Sequence, residues 1–279
     1  MLKALTALYS AHSIEDADGF ADFHVSVDRA GGLRRWLRPK LYFRVDGEDP
    51  FAPLPADQGL PMLEWGMNWC VTGHCHQYLI LHAAVLERDG RALVMPAPSG
   101  SGKSTLCAAL LFHGWRLLSD ELAIIDPAAG SLIPLPRAVS LKNASIEVIQ
   151  RFAGDAVRFG SIVHDTSKGR VGHFAPPIDA VRRSAERAAP GWIVFPRYQP
   201  GAVANLARLP RGQAMMRLIE NAFNYNVHRH TGFEALANLA QASACRTFEY
   251  SDLNQAVALF DRMADGLPLT DTTSSALAA

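Results

Sequence analysis

Two apolar runs, Leu79–Leu86 and Arg91–Met95, flank an Asp89-Gly90 pair, and the second leads straight into A-P-S-G-S-G-K-S-T, Ala97–Thr105. No other stretch limits the fold as tightly. Asp-Gly between β-forming runs signals a hairpin, because both central residues of its tight turn need positive φ. A two-residue loop also sets the register. Arg88 then faces Arg91, and further down the ladder His82 faces Ala97, at the mouth of the glycine-rich loop. After that loop, Lys103–His113 carries Leu106, Ala109, Leu110 and Phe112 at helical spacing and meets a stop at Gly114. The expected order is strand, turn, strand, glycine loop, helix, which makes this part of the chain α/β.

The loop Ser99-Gly100-Ser101-Gly102-Lys103-Ser104 fits the end of the Walker A phosphate loop, G-x-x-x-x-G-K-[ST], with Ala97 in place of its first glycine. Glycines let the backbone turn sharply enough for its N–H groups to surround phosphate oxygens. Lys103 brings a charge to the β/γ-phosphates, and the Ser104 hydroxyl is a ligand for Mg²⁺. The helix opening at Lys103 aims its positive end at the anion. A methyl group at position 97 fits if its φ is negative. Ser99 to Thr105 are therefore candidate nucleotide-binding residues, and ATP with Mg²⁺ is the implied ligand.

Trp115–Ser119 reads as the strand after the crossover helix, the next of a parallel pair, with Asp120-Glu121 at its carboxyl end, where ligands of open α/β sheets gather. Adjacent carboxylates can divide labour, one accepting a hydroxyl proton and one holding Mg²⁺. Arg137, Lys142, Lys168 and Arg170 are candidate contacts to phosphate or substrate, since phosphoryl transfer commonly uses a further cation.

The run from His82 through the loop to His113-Gly114-Trp115-Arg116-Leu117 and Asp120-Glu121 resembles the HPr kinase/phosphorylase superfamily, and within it the A-type HPr-kinase-related kinases. The resemblance spans Leu81 to Ile125. It implies a P-loop kinase core of the HPr-kinase and phosphoenolpyruvate-carboxykinase type, a mixed sheet with flanking helices. It further implies that Asp120 is the general base, polarised by His82, and that Ser104 and Glu121 serve Mg²⁺. The chain departs from the family at Ala97, at Glu121 in place of a second Asp, and at Leu135–Asn143, where the family's E-[IV]-R-G-L-G-I-I-D-V segment is missing. These departures argue against HPr as substrate and against a reverse phosphorylase activity.

Elsewhere, Phe23–Val27 and Lys40–Val45 suggest a small N-terminal β unit around Gly31-Gly32, followed by a proline-rich linker from Asp49 to Pro61. The expected units are 1–60, a β-rich unit with linker, 61–269, the phosphate-loop domain, and 270–279, a small polar tail expected to be disordered. Leu63–Gln77, Ser145–Phe159, Gln213–Asn226 and Leu253–Ala264 read as helices. Leu122–Ile125 and Leu132–Leu135 form a second hairpin. Trp192–Phe195 is a buried strand closed by Pro196, and His164–His173 an exposed polar loop. Cys70, His74, Cys75 and His76 are residue types that bind zinc but lack a second pair at zinc spacing, and His228-Arg229-His230 reads as a polar loop.

The 279 residues hold 27 basic and 27 acidic side chains, so no global field recruits nucleic acid or an anionic membrane. Arg34-Arg35-Trp36-Leu37-Arg38 is a basic turn of ordinary kind. No apolar run reaches the ~18 residues of a membrane span. With no secretory leader in view, the four cysteines suggest reduced thiols and a cytoplasmic protein. The expected activity is a Mg·ATP-dependent phosphotransferase acting on a hydroxyl, a serine of a small protein or peptide. The alternatives are a nucleotide-responsive binding module without turnover and a small-molecule kinase. Expected partners are thus a nucleotide and a protein or peptide acceptor, with homo-oligomerisation open.

Overall fold

The computed structural model describes residues 1–15, 19–31 and 39–269. Gly32, the basic turn at 34–38 and the tail at 270–279 lie outside the described residues. Helix α1 (Leu2–Leu8) precedes a small antiparallel sheet of β1 (Val25–Arg29), β2 (Lys40–Val45) and β3 (Leu54–Pro55). Strand β2 alternates, burying Leu41, Phe43 and Val45, and on these lie Met62, Leu63 and Cys70 of α2 (Gly59–His74). The helix that follows the linker thus packs on the N-terminal sheet.

The main sheet begins with β4 (Leu79–Arg88) and β5 (Arg91–Pro96), followed by α3 (Lys103–Leu111), β6 (Arg116–Ser119), β7 (Leu122–Ile125) and β8 (Leu132–Ile133). A three-stranded flap, β9 (Val139–Lys142), β10 (Val163–Thr166) and β11 (Gly169–Phe174), encloses α4 (Ala144–Ala153) in sequence. After α5 (Ile178–Arg182) come β12 (Ala189–Tyr198), β13 (Asn205–Arg208), α6 (Arg211–Glu220), α7 (Tyr225–His228), α8 (His230–Ala242), β14 (Ala244–Tyr250) and α9 (Leu253–Ala264). The sheet order is β13-β14-β12-β5-β4-β7-β8, with β6 also on β4. It is mixed: β12 runs parallel to β5 and β14, and the other pairs are antiparallel. Helices cover both faces. Leu86, Leu93, Met95 and Val194 face α3, α4 and α9, while Val85, Val94 and Ile193 face α6 and α8. Burial on both faces is why these strands read as unbroken apolar runs. Among the described residues no helix is long and apolar enough to cross a membrane.

Several expectations need correcting. Strand β6 is not a paired parallel neighbour of β5, because β4 lies between them. It does end at Ser119, directly before the acidic pair, as expected; the chain then bends at Asp120-Glu121 and resumes along β4 as β7, with Leu122 opposite His82. The polar segment 164–173 is a hairpin rather than an exposed loop, and His173 within it is fully buried. His164 and Asp165 are exposed as expected, whereas Ser167 and Lys168 at the turn lie on a cavity wall. Pro196 does not close β12. The β5 ladder stops at Ile193, and the next same-side amide, that of Tyr198, bonds Ser101 O instead. A missing N–H at 196 therefore breaks no ladder.

Candidate functional site

The loop after β5 is held from both ends. Ala97 is buried and its φ is not positive, so its methyl group is accommodated. Gly100 and Gly102 have φ of 87° and 85°, the left-handed region that favours glycine. At Gly102 a Cβ would come within 2.4 Å of the Tyr250 hydroxyl and 2.9 Å of Tyr198 Cβ. These tyrosines end β14 and β12, and both hold the loop. Tyr250 Oη donates to Gly102 O at 2.9 Å, and the Tyr198 amide donates to Ser101 O at 2.9 Å. Helix α3 then starts with the Leu106 amide donating to Gly102 O at 2.9 Å.

The loop floors a cavity of about 750 Å³ whose wall includes Ser99 to Thr105, His82, Glu121, Ser140, Lys142 and Lys168. Lys103 is 6% exposed, and its Nζ has no hydrogen-bond partner among the described residues. Burial lowers its pKa to about 8, although Glu121 and Asp120 pull the other way. A buried ammonium without a partner is unfavourable unless an anion joins it.

The two carboxylates at the bend behave differently. Glu121 lines the cavity and accepts from Asn68 Nδ2 at 3.2 Å and Lys142 Nζ at 3.5 Å. Burial would raise its pKa, but Lys142, Lys103 and Lys168 outweigh it, so Glu121 stays below the usual carboxylate range. Asp120 is buried, and its Oδ2 accepts the Ser140 amide at 2.9 Å. Burial, then the Glu121 charge, pushes its pKa up to about 7. Asp120 itself does not line the cavity; Ser140, which holds it, does. His82 lines the cavity, its amide donating to Asn221 O at 2.7 Å, and burial with the Lys103 charge lowers its pKa to about 4. The last hairpin rung, Ala83 with Pro96, keeps the register expected from the Asp-Gly turn.

A family model, that of SynChlorMet cassette protein ScmC, matches residues 60–144. No curated protein matches the chain. This corrects the resemblance to the HPr kinases, since the matching family is a different one. The matched span contains the whole of Leu81–Ile125 on which that resemblance stood. A glycine loop, a lysine and an acidic pair answer the demands of phosphate binding, and such demands recur without kinship.

Among the other candidate contacts, Lys142 and Lys168 reach the cavity, with Lys168 Nζ 4.7 Å from the centre of the Trp65 ring. Arg137 and Arg170 do not. Arg137 is paired with Glu64 at 3.1 Å, whose other oxygen accepts from Tyr9 Oη at 2.6 Å. Arg170 is paired with Glu147 at 2.7 Å. Each meets a carboxylate before it can reach the loop. Thr105 donates to Ser145 Oγ at 2.8 Å on the cavity wall. No cluster of three or more His, Cys, Asp or Glu set to hold a metal occurs among the described residues, and His228 Nε2 instead lies 2.9 Å from Tyr78 O. Mg²⁺ bound with nucleotide needs only one or two protein oxygens beside the phosphates. Ser104 and Glu121, both on the cavity wall, suit that requirement.

Sequence reasoning missed Asn68, Trp65, Ser140, Tyr198 and Tyr250. Trp65 and Asn68 lie one turn apart on α2, so helical spacing could have linked them. Tyr198 and Tyr250 are register partners at the ends of parallel strands, a placement visible only once β14 is known.

Proposed function

We propose that the protein is a Mg·ATP-dependent phosphotransferase with a P-loop kinase core, acting on a hydroxyl, with a serine of a small protein or peptide as the acceptor. One observation supports this above the others: the buried Lys103 ammonium, without a hydrogen-bond partner among the described residues, shares its cavity with a charged carboxylate and sits beside a second carboxyl poised near neutrality. Loop amides and Lys103 would hold the triphosphate. Ser104 and Glu121 would hold Mg²⁺, which supplies neutralising charge to the phosphates. Asp120, with its pKa near the working pH, suits the removal of the acceptor's proton. The acceptor oxygen then bonds the γ-phosphorus as the bridging bond to the β-phosphate breaks, and ADP leaves with that electron pair. His82, neutral at pH 7, contributes hydrogen bonding rather than charge. The matching family is described as a cassette protein, so proteins or peptides encoded beside this chain are the first acceptors to try.

A binding module without turnover is the second reading. It is favoured by the position of Asp120 behind Ser140 and by the engagement of Glu121 with Asn68 and Lys142. Titration calorimetry with Mg·ATP, run beside transfer of γ-labelled phosphate, separates the two. Lys103→Ala abolishes nucleotide binding, whereas Asp120→Asn keeps binding and loses transfer. Equal transfer by Asp120→Asn and wild type would remove Asp120 as base. Tight binding with neither transfer nor hydrolysis would leave the module. Labelling of low-molecular-weight acceptors alone would change the substrate class.

A further inference from the structure

The phosphate loop follows β5, and the sheet places two unlike flanks beside it. On one flank, β4 and the β6–β7 bend bring His82, Asp120 and Glu121. On the other, β12 and β14 run parallel to β5 and end together in the register pair Tyr198 and Tyr250. A phosphate-loop lysine reaches the β/γ end of a nucleotide. With the γ end toward the carboxylates, the nucleoside must extend over the tyrosine flank.

That flank is built as an apolar platform. Tyr198, Tyr250, Leu253 and Val148 line the cavity there. The Tyr250 ring stacks on Phe248 at 5.0 Å and 7°, and the Tyr198 ring meets Tyr250 edge-on at 5.8 Å and 76°. Tyr198 is 48% exposed although it ends a strand whose preceding apolar residues are buried. Its backbone is already pinned by the bond to Ser101 O, so any ordering that opposes a ligand is confined to the side chain's two torsions. An exposed aromatic face on a rigid support, beside a phosphate cradle, is a stacking surface for a base.

We infer that this flank is a nucleobase subsite and that Tyr198 is the stacking surface for a purine base. The inference rests on the nucleotide-binding reading of the loop above. A fused two-ring base covers more of a phenol ring than a single-ring base, so ATP is preferred to CTP.

The test is titration calorimetry with the Mg²⁺ complexes of ATP, CTP and inorganic tripolyphosphate. Wild type is expected to bind ATP at least about tenfold tighter than tripolyphosphate, and tighter than CTP. Tyr198→Ala is expected to weaken ATP about five- to tenfold, the lower range for loss of a base–aromatic stack, while leaving tripolyphosphate unchanged. Tyr198→Phe keeps ATP affinity within about twofold. Three results would overturn the subsite while sparing the phosphate loop: wild type binding tripolyphosphate as tightly as ATP, Tyr198→Ala binding ATP like wild type, or Tyr198→Ala losing both ligands equally. If neither ATP nor tripolyphosphate binds wild type, the loop reading falls and the subsite with it.

Discussion

Asp120 is the place where catalysis and stability should conflict. Its pKa moves from the ordinary 3.8 to about 7 through burial and the Glu121 charge. Between pH 4 and 7 the folded protein therefore keeps a proton that the unfolded chain has released. The sign follows from linkage: this group's contribution to stability falls as pH rises through that window, then stays level above it. At about 1.4 kcal/mol per tenfold, keeping Asp120 ionised in the fold costs about 4 kcal/mol at pH 8. Asp120→Asn removes the charge but not the shape, and its Oδ1 can still accept the Ser140 amide. The variant should be more stable than wild type by up to about 4 kcal/mol at pH 8, with the difference shrinking toward zero near pH 4. Urea unfolding followed by tryptophan fluorescence at pH 4, 6 and 8 measures it, provided the slopes agree between proteins. His82 and Lys103 also change charge across pH, but both proteins contain them, so they largely cancel in the difference. A difference that does not change with pH, or a variant less stable at pH 8, would refute the reasoning. Stabilisation accompanied by loss of transfer is the pattern of a site held in a costly state for function.

Two further comparisons test the geometry. Gly100→Ala faces open space and should cost only the left-handed strain, about 1–2 kcal/mol. Gly102→Ala adds contacts with Tyr250 Oη and Tyr198 Cβ, so it should destabilise more and abolish Mg·ATP binding; equal effects in melting and titration would contradict this. Arg137→Met strands the buried Glu64 and should cost about 3–5 kcal/mol in urea unfolding, while the folded variant binds ATP with unchanged affinity. A large affinity loss there would return Arg137 to the phosphate site.

Much of the local structure around residues 97 to 111 was legible because its signals are local. The Asp-Gly turn, the two glycines, Lys103 and the helical spacing after it act within a few residues of one another, and the hairpin register carried His82 to the cavity. Arg137 and Arg170 misled because a basic residue's partner depends on which carboxylate lies nearer, and Glu64 and Glu147 lie on other elements. The 164–173 segment misled for a related reason. Polarity in a sequence cannot separate a side chain in open solvent from one on a cavity wall or inside the fold: Lys168 is exposed yet lines the cavity, and His173 is fully buried. Trp65 and Asn68 escaped notice because α2 belongs by packing to the N-terminal sheet, yet it delivers one residue to Lys168 and the other to Glu121.

By itself, then, the sequence determined the strand–turn–strand–loop–helix unit, the glycine turns and lysine of residues 99 to 105, and the adjacency of Asp120 and Glu121. Each follows from steric and hydrogen-bonding rules that act over short separations. The tertiary structure alone decided that β4 separates β5 from β6, that the acidic pair after β6 turns the chain back along β4, and that two tyrosines from strands distant in sequence hold the loop. Those outcomes depend on which strands pair across the sheet, and strand pairing is selected by the burial of both faces at once, a quantity that no local window of residues contains.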